Sequence, residues 1–230
     1  MRLKQMVVML AVAALALPLA AQMGMGPQVP NLSGIWRPVV GSGSTYEITR
    51  DGNKTNMDFA VLGKEDFAGK TGYWVEMSMT YPKGGGDMLI KILETVDGNS
   101  ITYSRWVMQM PGQQPMEMDP NMMNMGGRKT YESQDTDFRN KAELVGTESI
   151  SVPAGTFSCE HYRMKDGSGD AWISDKVSPW SLVKMQDKLR TMVLVKVTTD
   201  AKDRITGTPT KFDPMQMMRN RMGQQGQQPQ

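Results

Sequence analysis

Residues 72–110 read GYWVEMSMTYPKGGGDMLIKILETVDGNSITYSRWVMQM, and their patterning decides the fold class. Tyr73, Val75, Met77 and Met79 fall on one face of an extended chain, and Trp74, Glu76, Ser78 and Thr80 on the other. That period of two marks a strand with one buried side. PKGGGD (82–87) breaks the strand. Two further runs, 88–96 and 101–110, flank Asp97-Gly98-Asn99-Ser100. Gly and Asn tolerate the positive φ of a tight hairpin turn. The stretch therefore reads as consecutive antiparallel strands.

The pattern continues on both sides. YEITR (46–50) meets the turn signal Asp51-Gly52-Asn53, and TNMDFAVL (55–62) follows. Downstream, KAELVGTESISV (141–152) turns at Pro153-Ala154-Gly155 into FSCEHYRMK (157–165). DGSGD (166–170) turns the chain again, before AWISD (171–175), SLVKMQ (181–186) and LRTMVLVKVTTD (189–200). About ten strand candidates stand against two weak helical ones, 63–70 and 133–143. The expected fold class is mainly β with little helix: a strongly curved antiparallel sheet or an unclosed β-barrel, because twist accumulates over so many strands.

The chain ends differ from this body. MRLKQMVVMLAVAALALPLAAQMG opens with Arg2 and Lys4, continues through an apolar run from Met6 to Leu17, and breaks at Pro18 before small residues. This is the layout of a cleaved secretory signal peptide, with the cut expected between Ala21 and Gln22. The apolar run is short for a membrane span. The expected organisation is a signal peptide at 1–21, a flexible lead-in at 22–44, one β-rich domain at 45–210 with a Met-rich loop at 110–127, and a disordered Met/Gln-rich tail at 211–230. Gly34-Ile35-Trp36 is the one anchor by which the lead-in could dock. The location that follows is the periplasm or the extracellular space.

Removing residues 1–21 leaves 24 basic against 24 acidic residues. A balanced chain has no strong electrostatic attraction for nucleic acid or anionic membranes. Cys159 is the single cysteine, so no intrachain disulfide forms and packing must hold the fold.

Residues 146–185 read GTESISVPAGTFSCEHYRMKDGSGDAWISDKVSPWSLVKM. Gly146 and Glu148, then Val152 to Phe157 (VPAGTF), Cys159, His161, Trp172, Ser174, Val183 and Lys184 resemble a recurrent pattern in exported bacterial proteins of unknown function. That group is distantly similar to the periplasmic lipoprotein carrier and outer-membrane lipoprotein receptor. The resemblance implies an unclosed antiparallel barrel whose concave side is apolar and covered by helices.

Chemistry-bearing residues are sparse. His161 is the only histidine, which excludes a His–His metal pair within the chain and the HExxH zinc motif. Cys159 and His161, two apart on a strand, point the same way at about 7 Å of backbone separation, too far for direct proton transfer. They read as a buried thiol and a hydrogen-bonded imidazole. DGSGD reads as a turn with too few oxygen donors for calcium. KGGGD lacks the lysine and hydroxyl of a phosphate loop, and no G-x-S-x-G elbow occurs. No catalytic residues and no cofactor-binding residues are expected.

MPGQQPMEMDPNMMNMGG (110–127) holds six methionines in eighteen residues. Thioethers are soft donors that select Cu(I), so Met116, Met118, Met122, Met123 and Met125 are the candidate metal ligands. Equally, methionine makes adaptable apolar contact surfaces. Three functions follow. The first is a non-enzymatic envelope protein that binds an apolar ligand or an envelope protein partner on its curved sheet. The second is Cu(I) binding or buffering through the methionine loops. The third is an enzyme of unrecognised type, for which the sequence offers no constellation.

Overall fold

The computed structural model describes residues 35–80, 85–97, 100–118 and 138–212. Residues 1–34, 81–84, 98–99, 119–137 and 213–230 lie outside the described residues. With them lie the expected signal peptide, most of the lead-in and tail, and Met122, Met123 and Met125.

The described chain forms one twelve-stranded sheet. Its strands are β1 (Gly43–Arg50), β2 (Asn53–Phe67), β3 (Lys70–Thr80), β4 (Asp87–Asp97), β5 (Ser100–Gln109), β6 (Met116–Met118), β7 (Ala142–Val152), β8 (Gly155–Met164), β9 (Gly169–Ile173), β10 (Leu182–Asp187), β11 (Arg190–Thr198) and β12 (Thr210–Lys211). A four-residue helix, α1 (Phe138–Lys141), precedes β7. The sheet order is β12-β6-β5-β4-β3-β2-β1-β11-β10-β9-β8-β7. Every pairing is antiparallel except β12 with β6. The mainly β, unclosed sheet expected from the sequence is what forms.

Hairpin chemistry accounts for most of this order. Asp51 and Gly52 take φ of 49° and 76° between β1 and β2, the left-handed pair that matches strand twist. Ala68 and Gly69 do the same between β2 and β3, with φ of 50° and 77°. That turn corrects the helical expectation at 63–70, because β2 runs on to Phe67. Alanine rarely adopts this conformation, so the turn carried no sequence signal. The second helical candidate, 133–143, contracts to α1 within the described residues, with Ala142 already in β7. Two short strands, β6 and β12, were hidden in stretches read as loop and tail.

The sheet curls around one face. Tyr46, Met57, Phe59, Val61 and Val75 from one half share a buried core with Tyr162, Ile173, Leu182 and Leu194 from the other. At the far edge, the tip of the β7–β8 hairpin bends back, and the Ala154 N–H donates to the Leu194 carbonyl at 3.4 Å. The resemblance implied helices over the concave face. Among the described residues α1 is the only helix, and the core is instead roofed by the 174–181 loop, whose Val177 and Trp180 are buried, and by Ile35 and Trp36 at the end of the lead-in.

The convex face carries a strap. After β11 the chain crosses the sheet: Ala201 N–H donates to Gly41 O, Arg204 N–H to Glu76 Oε2 at 3.1 Å, and Thr206 N–H to Gln109 Oε1. It then pairs as β12 beside β6. Leu89, Leu93 and Val107 are buried, and the strand registers place them on this crossed side.

Candidate functional site

A cavity of about 700 Å³ opens on the concave side. Its apolar wall comes from the alternation of five strands: Met164 of β8, Ala171 and Ile173 of β9, Met185 of β10, Met192 of β11, and Tyr46 of β1. Register explains the alignment, since Met185 stands opposite both Ala171 and Met192. Its rim is built by the hairpin loops around 166–169 and 187–190. Gly169 belongs to this rim for a steric reason: a Cβ there would stand 2.3 Å from the Gln186 carbonyl oxygen.

Aromatic contacts stiffen the wall. Tyr46 and Phe59 meet edge-on at 5.9 Å, and Phe59 and Trp180 at 6.3 Å. The Tyr46 hydroxyl donates to Leu182 O at 2.8 Å, and complete burial pushes its pKa well above that of an ordinary phenol. The rim is charged but largely self-paired. Arg190 Nε donates to Asp187 at 2.9 Å. Asp170 accepts from Arg163 Nε at 3.1 Å and contacts His161 Nε2 at 2.8 Å. Although desolvation opposes it, these partners hold Asp170 below the usual carboxylate range. An apolar chamber with few polar groups at its mouth is the composition of a small-molecule site.

Beside it, the β2–β6 half of the concave face is paved with methionine. The registers align Met57, Met79 and Met88 in one row. Phe59, Met77, Ile90, Met108 and Met116 make the next. Met118 stands opposite Trp106 in the row after. Met116 and Met118 are thus half-buried members of a strand, which corrects the reading of 110–127 as one Met-rich loop at those positions. The other three candidate ligands, Met122, Met123 and Met125, lie outside the described residues. Among the described residues, no group of three or more His, Cys, Asp or Glu is arranged to hold a metal ion.

Cys159 and His161 take separate roles. Cys159 is 1 % exposed, and desolvation followed by the nearby Glu148 pushes its thiol up to about 11. Its Sγ contacts the Phe157 carbonyl at 3.6 Å. His161 engages Glu148 through Nδ1 at 3.1 Å and Asp170 through Nε2 at 2.8 Å. It stacks on Trp172 at 4.5 Å, while Lys184 lies over the same indole at 4.6 Å. Neither ring nitrogen is turned to the thiol, so the pair lacks the geometry of an activated nucleophile. DGSGD is a turn, with Asp166 accepting from the Ser168 N–H at 2.8 Å.

Two buried carboxylates escaped sequence reasoning. Glu94, wholly buried, accepts from Trp36 Nε1 at 3.0 Å, and burial pushes it up to about 8 against that hydrogen bond. Glu76 lies under the strap and is pushed up to about 7 by burial, with Asp203 adding and the Arg204 N–H opposing. Period-two alternation put Glu76 on the outer face, and only the strap makes that face an interior.

No family model and no curated protein matches this chain. Among solved structures it is similar to a "putative lipoprotein" from Parabacteroides distasonis, at 16 % identity and a TM-score of 0.36 over 71 % of this chain and 98 % of that one. It is also similar to a "putative exported protein with YmcC-like fold" from Bacteroides fragilis, at 13 % identity and 0.35 over 72 % and 99 %. A third likeness is to MucB, also solved in complex with MucA(peri), at 10 % identity and 0.35 over 77 % of this chain and 60 % of that one. Likeness at this level transfers neither a partner nor an activity. Among the described residues, no helix is long and apolar enough to cross a membrane.

Proposed function

We propose that this chain is an exported, non-catalytic protein that holds an apolar ligand on the concave face of its sheet. The observation that carries the reading is the chamber of about 700 Å³ walled by Tyr46, Ala171, Ile173, Met185 and Met192. Apolar surface left in contact with solvent is costly, at about 25 cal/mol per Å². The adjoining rows of unbranched methionines suit a ligand of variable shape, or an apolar segment of an envelope protein, because thioether chains repack readily. Export rests on the N-terminal layout of residues 1–21, and the resemblance of residues 146–185 to exported proteins supports it. Residues 22–44, 45–210 and 211–230 are taken as lead-in, domain and tail.

The test is titration of the mature protein with an environment-sensitive acyl probe, anthroyloxy-stearate, in wild type and in Ala171→Trp, which places an indole in the chamber. Saturable one-site binding that Ala171→Trp abolishes, with the circular dichroism spectrum retained, supports the reading. Equal binding by both proteins, or none by wild type, overturns it.

Cu(I) capture by Met116, Met118, Met122, Met123 and Met125 is the competing reading. The pairing of Met108 with Met116 in adjacent strands favours it. Simultaneous replacement of the five by leucine keeps bulk and removes donors, so loss of Cu(I) affinity with an intact fold would establish it.

A further inference from the structure

The lead-in reaches the core as a separate piece. Ile35 and Trp36 are both buried. Their segment is tied twice to the 174–181 loop and once to β2. Arg37 N–H donates to Pro179 O at 2.6 Å, Val39 N–H to Ser178 Oγ at 3.1 Å, and Gly41 N–H to Val61 O at 2.7 Å. Trp36 spans to the other half of the concave face, where it meets Tyr73 edge-on at 5.2 Å and donates its indole N–H to Glu94.

Ile35 also lines two cavities at once, the chamber of about 700 Å³ and a second of about 420 Å³. Ile173 of β9 is common to both. The sheet therefore supplies a shared wall to the two spaces, and the lead-in stands between them.

We infer that residues 35–41 form a latch that partitions the concave groove, held shut by protonated Glu94 and loosened when Glu94 ionises. The inference goes beyond the ligand-binding reading and rests on it only for the consequence that release joins the two cavities into one longer groove. The geometry supplies the switch. Glu94 is fully buried, and its carboxyl accepts a hydrogen bond from the Trp36 indole. The groups opposite it in register are Tyr73 on β3 and Tyr103 on β5. The cation nearest in this chain of contacts, Lys64, lies over the Tyr73 ring at 5.1 Å rather than on the carboxylate. A carboxylate charge formed in that buried position is desolvated, which is unfavourable and outweighs the Trp36 hydrogen bond. Opening the latch admits water to it.

Hydrogen exchange of the mature protein, without ligand, tests this at pH 6 and pH 9 after correction for intrinsic exchange rates. Amides of residues 35–42 should lose protection by about tenfold or more between the two values, while those of β1 and β2 hold theirs. Glu94→Gln, which cannot ionise, should keep the segment protected at both. Trp36→Phe, which keeps the ring and loses the donor, should lower its protection already at pH 6. Constant protection of 35–42 in wild type, or the same loss in Glu94→Gln, overturns the latch and leaves the cavity reading untouched. Failure of acyl-probe binding with normal latch behaviour would instead remove the cavity reading alone.

Discussion

Single residues set how this protein responds to pH and to thiol reagents. Glu94 moves from about 4.5 to about 8 on folding, chiefly through burial. The protonated carboxyl is therefore favoured by the fold. Its contribution is fully present below about 4.5 and is lost as pH rises towards 8. Glu76, raised to about 7, adds a slope of the same sign up to that value. Urea unfolding of Glu94→Gln should show little gain over wild type at pH 4.5 and a gain of a few kcal/mol at pH 8. A constant difference across that window would refute the assignment. Cys159, buried with its thiol pushed up to about 11, should label with a maleimide only as fast as the protein unfolds. Replacing His161 by Gln should leave that rate unchanged, since His161 bonds Glu148 and Asp170. The spacing of Cys159 and His161 already read as a buried thiol and a hydrogen-bonded imidazole, and the contacts of the two residues are those. The sequence could not show Glu94, because an acid in an otherwise apolar strand looks the same whether it meets solvent or the Trp36 indole.

At the scale of elements, alternation and turn residues carried most of the information. β3, β4, β5 and β8 to β11 stand close to where period-two runs placed them. What failed to register were segments whose structure depends on a distant partner. β6 exists because Met116–Met118 pairs with β5 on one side and β12 on the other. The strap exists because Arg204 reaches Ser78 at 2.8 Å and also contacts Asp87, neither visible from the run KDRITGTP itself. Arg204 is partly exposed, so screening limits its worth, and Arg204→Ala should cost about 1 kcal/mol in chemical denaturation. A loss indistinguishable from zero would mean that the strap is held by its backbone bonds alone. The β2–β3 turn offers the opposite change. Ala68 occupies a left-handed conformation at φ 50°, so Ala68→Gly should stabilise by about 1 kcal/mol, read as a higher midpoint in the same assay. Destabilisation would show that the alanine methyl makes a contact worth more than its strain.

The whole molecule is a sheet bent so that both halves face one interior, with a strap outside and a latch inside. Sheet curvature was legible from strand number. Whether the interior is filled or hollow was not, because a strand's inward residues look alike in either case. The chamber is left where β8 to β11 present Met164, Ala171, Met185 and Met192 around a space their side chains do not fill. That space is the centre of the account, and its methionines report on it directly. With ¹³C-methyl-labelled methionine, laurate added below its micellar concentration should shift the methyl resonances of Met164, Met185 and Met192 saturably, leaving Ala171→Trp unresponsive. Unchanged resonances for those three methyls, or shifts that Ala171→Trp retains in full, would contradict the claim that the concave chamber binds an apolar ligand.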